Sequence, residues 1–185
     1  MPKYAMVVDQ RRCVACMACV IACKKENDVP PGQFRTRVLE MVEGEFPRLR
    51  MELRSELCNH CDNPPCVYNC PTGASYKTED GPVLLKQNRC VGCKACVASC
   101  PYDARYINEE KGFADTCTFC AHRIKEGKQP ACVSTCIGKS RIFGDLSDPK
   151  SAVSAALRDN HHEVLLASAG TNPRVFYIKK FSRPE

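Results

Sequence analysis

The chain of 185 residues contains no tryptophan, and aromatic residues of all kinds make up 7%. Leucine, isoleucine, valine and phenylalanine together reach barely a fifth of it, the margin below which a chain struggles to bury enough apolar surface to offset its ordering entropy. Something other than aliphatic packing must therefore organise the fold. No stretch approaches the roughly 18 consecutive apolar residues that span a bilayer. The apolar run around Met6-Val7-Val8 is far too short for a signal-peptide core, and no twin-arginine pair precedes it, so the expectation is a chain that neither exports nor anchors itself. Also missing are a Gly-x-Gly-x-x-Gly run after a strand, a phosphate loop and a Ser/His/Asp constellation. These absences argue against a nucleotide-dependent enzyme or a hydrolase, and the length excludes a large barrel.

Against them stand sixteen cysteines. The number is even, but disulfide frameworks belong mainly to short secreted chains and have no reason to repeat one tight spacing. Here the cysteines fall into four groups of four. Group one is Cys13-x2-Cys16-x2-Cys19-x3-Cys23, and group three, Cys90-x2-Cys93-x2-Cys96-x3-Cys100-Pro101, is the full run by which bacterial ferredoxins hold cubane iron-sulfur clusters. Group two is a variant, Cys58-x2-Cys61-x4-Cys66-x3-Cys70-Pro71, and group four is looser, Cys117-x2-Cys120-x11-Cys132-x3-Cys136.

A cube has four iron corners, each needing one thiolate. Three ligands at two-residue gaps come from a loop that wraps the cube closely, and the three-residue gap sends the fourth cysteine one helical turn away, toward a second cluster. Sixteen thiolates thus suffice for four clusters with none left over. The competing reading is structural zinc: Cys58/Cys61 and Cys117/Cys120 are also halves of a zinc ribbon, with His60 and His122 beside them. Two full ferredoxin runs in the same chain favour iron. His60 and His122 are then expected to pack beside a cluster or donate a hydrogen bond to its sulfur, while His161 and His162, far from any cysteine, are expected in solvent.

Lys3 to Asp9 reads as a short strand, and Cys16 to Lys25 as a helix ended by turn signals at Asn27-Asp28 and Pro30-Pro31-Gly32. Residues 35–42 and 48–54 are β-prone runs around Gly44 and Pro47, hence a hairpin. Groups two and three follow with an apolar run at Val83-Leu84-Leu85 between them. Arg141 to Phe143 reads as a strand, Asp148-Pro149 as the cap and start of a helix to about Asp159, and Val164 to Leu166 and Arg174 to Ile178 as extended segments. Groups two and three both end in Cys-Pro, which favours pairing them inside one and four. The pairing of one with two and three with four stays open on spacing alone.

The four groups in this order resemble the four-cluster electron-transfer subunits of molybdopterin oxidoreductases, of the dimethyl sulfoxide, polysulfide, thiosulfate and arsenate reductase type. So do Cys58-Asn59-His60-Cys61-Asp62-Asn63-Pro64-Pro65-Cys66, Cys70-Pro71-Thr72-Gly73-Ala74, Pro101-Tyr102-Asp103-Ala104-Arg105-Tyr106 and Cys117-Thr118-Phe119-Cys120-Ala121-His122-Arg123. The tail pieces Phe143-Gly144-Asp145-Leu146 and Pro173-Arg174-Val175-Phe176-Tyr177-Ile178 extend the likeness over nearly the whole chain.

The resemblance implies an α+β fold of two pseudo-symmetric two-cluster ferredoxin-like modules, one nested in the other. The outer module would comprise residues 1–34 and 111–144 and the inner one 57–110, with a β-hairpin insertion at 35–56 and a C-terminal docking extension at 145–185. It implies one cluster on Cys13, Cys16, Cys19 and Cys136, and a second on Cys23, Cys117, Cys120 and Cys132. A third would lie on Cys58, Cys61, Cys66 and Cys100, and a fourth on Cys70, Cys90, Cys93 and Cys96. The half with groups one and four would face a molybdopterin-containing catalytic subunit, and the other half an integral membrane quinone-reactive subunit. Many relatives end the last group in Cys-Pro-Thr where this chain has Cys136-Ile137-Gly138-Lys139. That departure, together with Lys24 beside Cys23, makes Lys24 and Lys139 candidates for tuning cluster potential through charge and hydrogen bonding.

The implied role is a wire that binds no small-molecule substrate of its own. A free-standing polyferredoxin is the alternative, but it would need neither the hairpin nor the C-terminal extension. The expected place is the periplasmic face of the bacterial cytoplasmic membrane, reached on a twin-arginine-tagged partner, with the cytoplasmic face as the alternative. Each oxidised cube with four thiolates carries roughly −2, so four cubes turn the formal +6 into about −2. The basic surplus is then compensation for clusters, and nucleic acid is not an expected partner. Anaerobically purified protein should be brown, carry about sixteen irons and show no turnover alone; metal analysis that found zinc in place of iron would overturn this reading.

Overall fold

The computed structural model describes residues 1–180; residues 181–185, the end of the expected C-terminal extension, lie outside the described residues. In chain order the elements are β1 (Tyr4–Asp9), α1 (Ala18–Asn27), β2 (Thr36–Glu43), β3 (Arg50–Leu57), α2 (Pro65–Tyr68), β4 (Ser75–Lys77), β5 (Val83–Leu85) and α3 (Ala95–Ala98). They are followed by β6 (Arg105–Asn108), β7 (Phe113–Thr116), α4 (Ala121–Lys125), α5 (Ala131–Ser134), β8 (Arg141–Asp145), α6 (Ala152–Asp159) and β9 (Val175–Ile178). This is a mixed α/β protein of short helices and several small sheets.

The uninterrupted apolar run Ala5-Met6-Val7-Val8 suits a strand buried on both faces, and β1 lies at the centre of a sheet in the order β8-β1-β9, antiparallel to β8 and parallel to β9. Alternation along the strand divides its labour. Ala5 and Val7 face Val153 of α6 and Ile178, while Met6 and Val8 share a core with Cys19, Cys58, Cys117, Cys132, Phe119, Phe143 and Tyr177. A third core gathers Cys66, Cys96, Val83 and Ala114. Cysteine is thus a core residue in two of the three, which is where the missing aliphatic mass has gone. Three two-stranded ladders, β2-β3, β4-β5 and β6-β7, surround these cores.

The expected hairpin is present as β2 and β3, paired from Thr36 with Leu57 to Glu43 with Arg50. Two other expectations need correction. The final helix is capped by Ser151, whose Oγ accepts from the Ser154 N–H at 3.1 Å, while Asp148 instead accepts from the Lys150 N–H in the preceding turn. Val164 to Leu166 is not an extended strand: only Glu163 bridges to Tyr177, and the chain then turns into a short 3-10 segment at Ala167–Ala169. The apolar pair Leu165-Leu166 resembled a strand, but Leu166 takes a left-handed conformation that ends pairing there.

Replacing Ser151 with Ala should remove the α6 cap at about 1 kcal/mol, accelerating amide exchange across residues 152–159 about fivefold, whereas Asp148→Ala should leave that exchange unchanged.

Candidate functional site

Groups one and three are built alike. Each cysteine run is entered from a 3-10 turn, Gln10–Arg12 or Gln87–Arg89, whose first carbonyl accepts from the N–H of Cys13 or Cys90. Within the loops, Ala15 and Gly92 take left-handed conformations, and so do Met17 and Lys94 at the helix starts. The last pair bends the backbone so that α1 and α3 present Cys19 and Cys96 inward, buried. Groups two and four also match each other. His60 and Phe119 hold positive φ between their paired cysteines, and Pro64 and Pro130 open α2 and α5, which carry Cys66 and Cys132. Across the molecule α1 packs on α5, and α2 on α3.

Three cavities follow from this packing. The first is lined by Cys13, Cys16, Cys19 and Cys136 with Ser55 and Arg141. The second is lined by Cys23, Cys117, Cys120 and Cys132, with Arg35 and again Arg141. The third is lined by Cys58, Cys61, Cys66 and Cys100 with Arg105. Of the four remaining cysteines, Cys90 and Cys96 lie together in the third core, and Cys70 and Cys90 accept N–H bonds from Ser75 and Ala114 at 3.4 and 3.5 Å. All sixteen are free thiols. Among the described residues no three ligating groups close about one point as a single ion requires; the thiols ring a void instead, which suits a polynuclear cluster.

Gly138 shows how tightly the first cavity is closed: a Cβ there would lie 2.1 Å from the Arg12 carbonyl oxygen, so the loop after Cys136 can press against the one entering Cys13 only as glycine.

The electrostatics suit bound metal. Burial, reinforced by the neighbouring Cys132 and Cys120 sulfurs, pushes the Cys23 thiol up to about 12. Burial likewise takes Cys66 to about 12 and Cys61 to about 11. Such thiols ionise at neutral pH only against a cation. Donors are in place for the thiolate form, with Ser140 N–H to Cys136 Sγ at 3.2 Å and Phe119 N–H to Cys117 Sγ at 3.4 Å. Asn27 Nδ2 donates to both Cys23 and Cys120 at 3.7 and 3.9 Å.

The histidines divide. His60 is fully buried, its ring 3.7 Å from that of Phe119, and its Nδ1 accepts from the Val83 N–H at 3.0 Å, which places the proton on Nε2. Burial, then the nearby Arg105 charge, lowers it to about 3, so it stays neutral. His122, by contrast, bonds Glu26 at 2.7 Å near the surface and touches no sulfur. His161 is exposed, and His162 is half-buried edge-on against Phe176 rather than solvated. Lys24 donates to the Pro30 and Gln33 carbonyls and lies over Phe34, so its charge is spent on holding a loop, and Lys139 is exposed. Arg35 lines the second cavity but is paired with Asp115, whereas Arg105 and Arg141 reach the cysteines with no acid beside them among the described residues. The sequence signals them only by offset, each five residues after the last cysteine of groups three and four. A larger cleft between β2 and Tyr102–Tyr106 contains no cysteine, and its Arg35 and Arg37 are paired with Asp115, Glu56 and Asp103.

Residues 49–146 match a family model described as a 4Fe-4S dicluster domain, and residues 12–74 match a second model of the same description. The class is therefore an iron-sulfur protein of the dicluster ferredoxin type. The chain is 48% identical over 180 residues to the B subunit of the tetrathionate reductase of Salmonella typhimurium, covering 95% of this chain and 72% of the relative. It is 46% identical over 176 residues to the B subunit of the tetrathionate reductase of Archaeoglobus fulgidus, covering 95% and 82%, and 40% identical over 179 residues to the B subunit of the polysulfide reductase of Wolinella succinogenes, covering 95% and 94%. It belongs to the family of iron-sulfur B subunits of molybdopterin oxidoreductases, which carry electrons and are not the catalytic subunits. Two dicluster matches and sixteen cysteines account for four 4Fe-4S clusters.

Gly138→Ala should force the first cavity open; metal analysis of the full-length variant is expected to show a loss of about four irons with the remainder retained.

Proposed function

We propose that this chain relays electrons between a membrane quinone-reactive subunit and a molybdopterin-containing catalytic subunit of a respiratory oxidoreductase. Each bound cluster supplies a one-electron carrier; the chain supplies spacing, insulation and charge. The cysteine sets are those lining the three cavities, with Cys70, Cys90, Cys93 and Cys96 as the fourth. The packing of α1 on α5 and of α2 on α3 supports nesting residues 57–110 within an outer module of residues 1–34 and 111–144, with 35–56 and 145–185 as additions.

The observation that carries the relay is the gradient of exposure along these sets. Cys16 of the first and Cys93 of the fourth are exposed, whereas all four cysteines of the second set and three of the third are buried. The sets are also contiguous. Arg141 touches both the first and second cavities, Cys117 and Cys58 share one core, and Cys66 and Cys96 share another. A path with two open ends and a closed middle is what a relay between two partners needs, and a storage protein does not.

Of the expected docking surfaces, the hairpin carries exposed apolar residues, and a further apolar surface lies at the first cysteine set. Val14, Met17, Ile21 and Ile137, within or next to the cysteine runs of the first set, form an exposed apolar collar, and the hairpin tip exposes Phe46, Leu49 and Met51. The collar also gives the exposed Ile137 a use. Among the quoted relatives the tetrathionate reductase subunits exceed the polysulfide one in identity, so the partner's substrate is read as a sulfur-sulfur bonded species of that kind. Among the described residues no helix is long and apolar enough to cross a membrane. Our reading puts the relay at the periplasmic face, carried there by a partner, and protease accessibility in spheroplasts separates this from the cytoplasmic face.

Tagged full-length protein purified from its own host under anaerobic conditions should retain a large molybdenum- and pterin-containing partner. Ile21→Glu should cut that retention at least tenfold with iron content unchanged. A monomer with no partner would instead establish the free-standing polyferredoxin.

A further inference from the structure

Two arginines are buried where no carboxylate meets them. Arg105 is 4% exposed and Arg141 3%, and each is the first residue of its strand, β6 or β8. The carboxylates within the fold are committed elsewhere: Asp115 to Arg35 and Tyr106, Glu56 to Arg37 and Arg54, and Asp9 to Arg11. Among the described residues neither Arg105 nor Arg141 forms an ion pair with an acid. All three side-chain nitrogens of Arg105 lack a hydrogen-bond partner, as does Nη1 of Arg141, whose Nε and Nη2 reach only Ser55 Oγ and Thr36 Oγ1. A guanidinium does not lose its proton in a protein, so an isolated buried one is among the most unfavourable arrangements a fold can hold. An anion is required for each, and both point at the same kind.

Arg141 borders the first and second cavities together and faces Cys132, Cys19 and Cys117; Ser55, which it holds, reaches Cys19 Sγ at 3.7 Å. Arg105 borders the third cavity and faces Cys66, Cys58 and, from the fourth set, Cys96. Each half of the molecule therefore carries one fixed cation between two sets of sulfurs, at matching offsets in the sequence.

We propose that Arg105 and Arg141 are the internal countercharges of the two cluster pairs, each raising the reduction potentials of the two clusters it lies between. The inference rests on the ligand sets proposed above. The guanidinium gains and loses no proton and forms no bond. It offsets the single negative charge added by each one-electron reduction, the electron being supplied by one neighbouring cluster or partner and passed to the next. One cation shared by two sites shifts both potentials in the same direction.

The test uses the iron-loaded full chain and its Arg105→Gln, Arg141→Gln, Arg105→Lys and Arg141→Lys variants, with potentials read by redox titration followed by electron paramagnetic resonance. Arg141→Gln should reduce the equilibrium constant for reduction of two clusters about tenfold, or 59 mV for a one-electron couple, and leave the other two unmoved. Arg105→Gln should shift the complementary two, and the Lys variants should recover most of each shift. Unchanged potentials in iron-loaded Gln variants overturn the proposal. If the Gln variants do not load iron, loading of both Lys variants supports a charge role, and failure of all four assigns the arginines to packing and overturns it. A wild-type protein with far fewer than sixteen irons would fail the relay reading itself, a separate outcome.

Discussion

Burying thiolate sulfur in a small protein is the constraint on which the rest of this structure depends. A thiol in a low-dielectric interior resists ionisation, and a thiolate there demands cations and donors around it. The fold answers with elements too short to be stable alone: helices α2, α3 and α5 have four residues each, about one turn, far below the length at which isolated helices persist in water. Their stability has to come from what they hold. The same requirement explains the left-handed residues Ala15, Met17 and Lys94. Each costs local strain, and the strain persists because it keeps a tight loop of cysteines around a cavity.

The internal likeness of the molecule is a likeness of loops rather than of sheets. Groups one and three share 3-10 entries and left-handed turns, and groups two and four share prolines before a single-turn helix. Yet β1 sits in a three-stranded sheet while its counterpart β5 pairs only with β4. Sheets are free to vary where they only support, and the cysteine loops are not. The His60 and Phe119 rings, in tilted contact, occupy equivalent positions of groups two and four. Neutral His60, fixed by Val83, fills this junction without bringing a further charge to it.

Much of the site was legible in the sequence because cluster ligation is local: two-residue gaps constrain the backbone strongly enough that spacing alone identified both ferredoxin runs. The hairpin was equally plain, since β-prone residues flanked a turn with Gly44 and Pro47. Legibility failed where a side chain's role was decided by distant neighbours. Lys24 stands beside Cys23 in sequence, yet the Pro30-Gln33 loop folds back to capture it, and His122 is drawn out to Glu26. Arg105 and Arg141 carried no mark beyond their five-residue offset from a cysteine, because an arginine at the start of a strand becomes significant only when folding buries it against distant sulfurs. Ser151 rather than Asp148 became the cap because α6 begins where Val153 can reach β1, so tertiary packing fixed the start of the helix and the local capping signal did not.

The pairing of β1 has a consequence for how the molecule is made. Tyr4 partners Asp145, and Met6 partners Val175, so β1 has no sheet until strands far along the chain are in place. Loop closure over such a span is slow, whereas segments with near neighbours settle early. Residues 58 to 100 contain half of the cysteines and their ladder β4-β5 is local. This segment can therefore organise while β1, β8 and β9 are still unpaired, and assembly runs outward from it, with β8 and β9 closing over β1 afterwards.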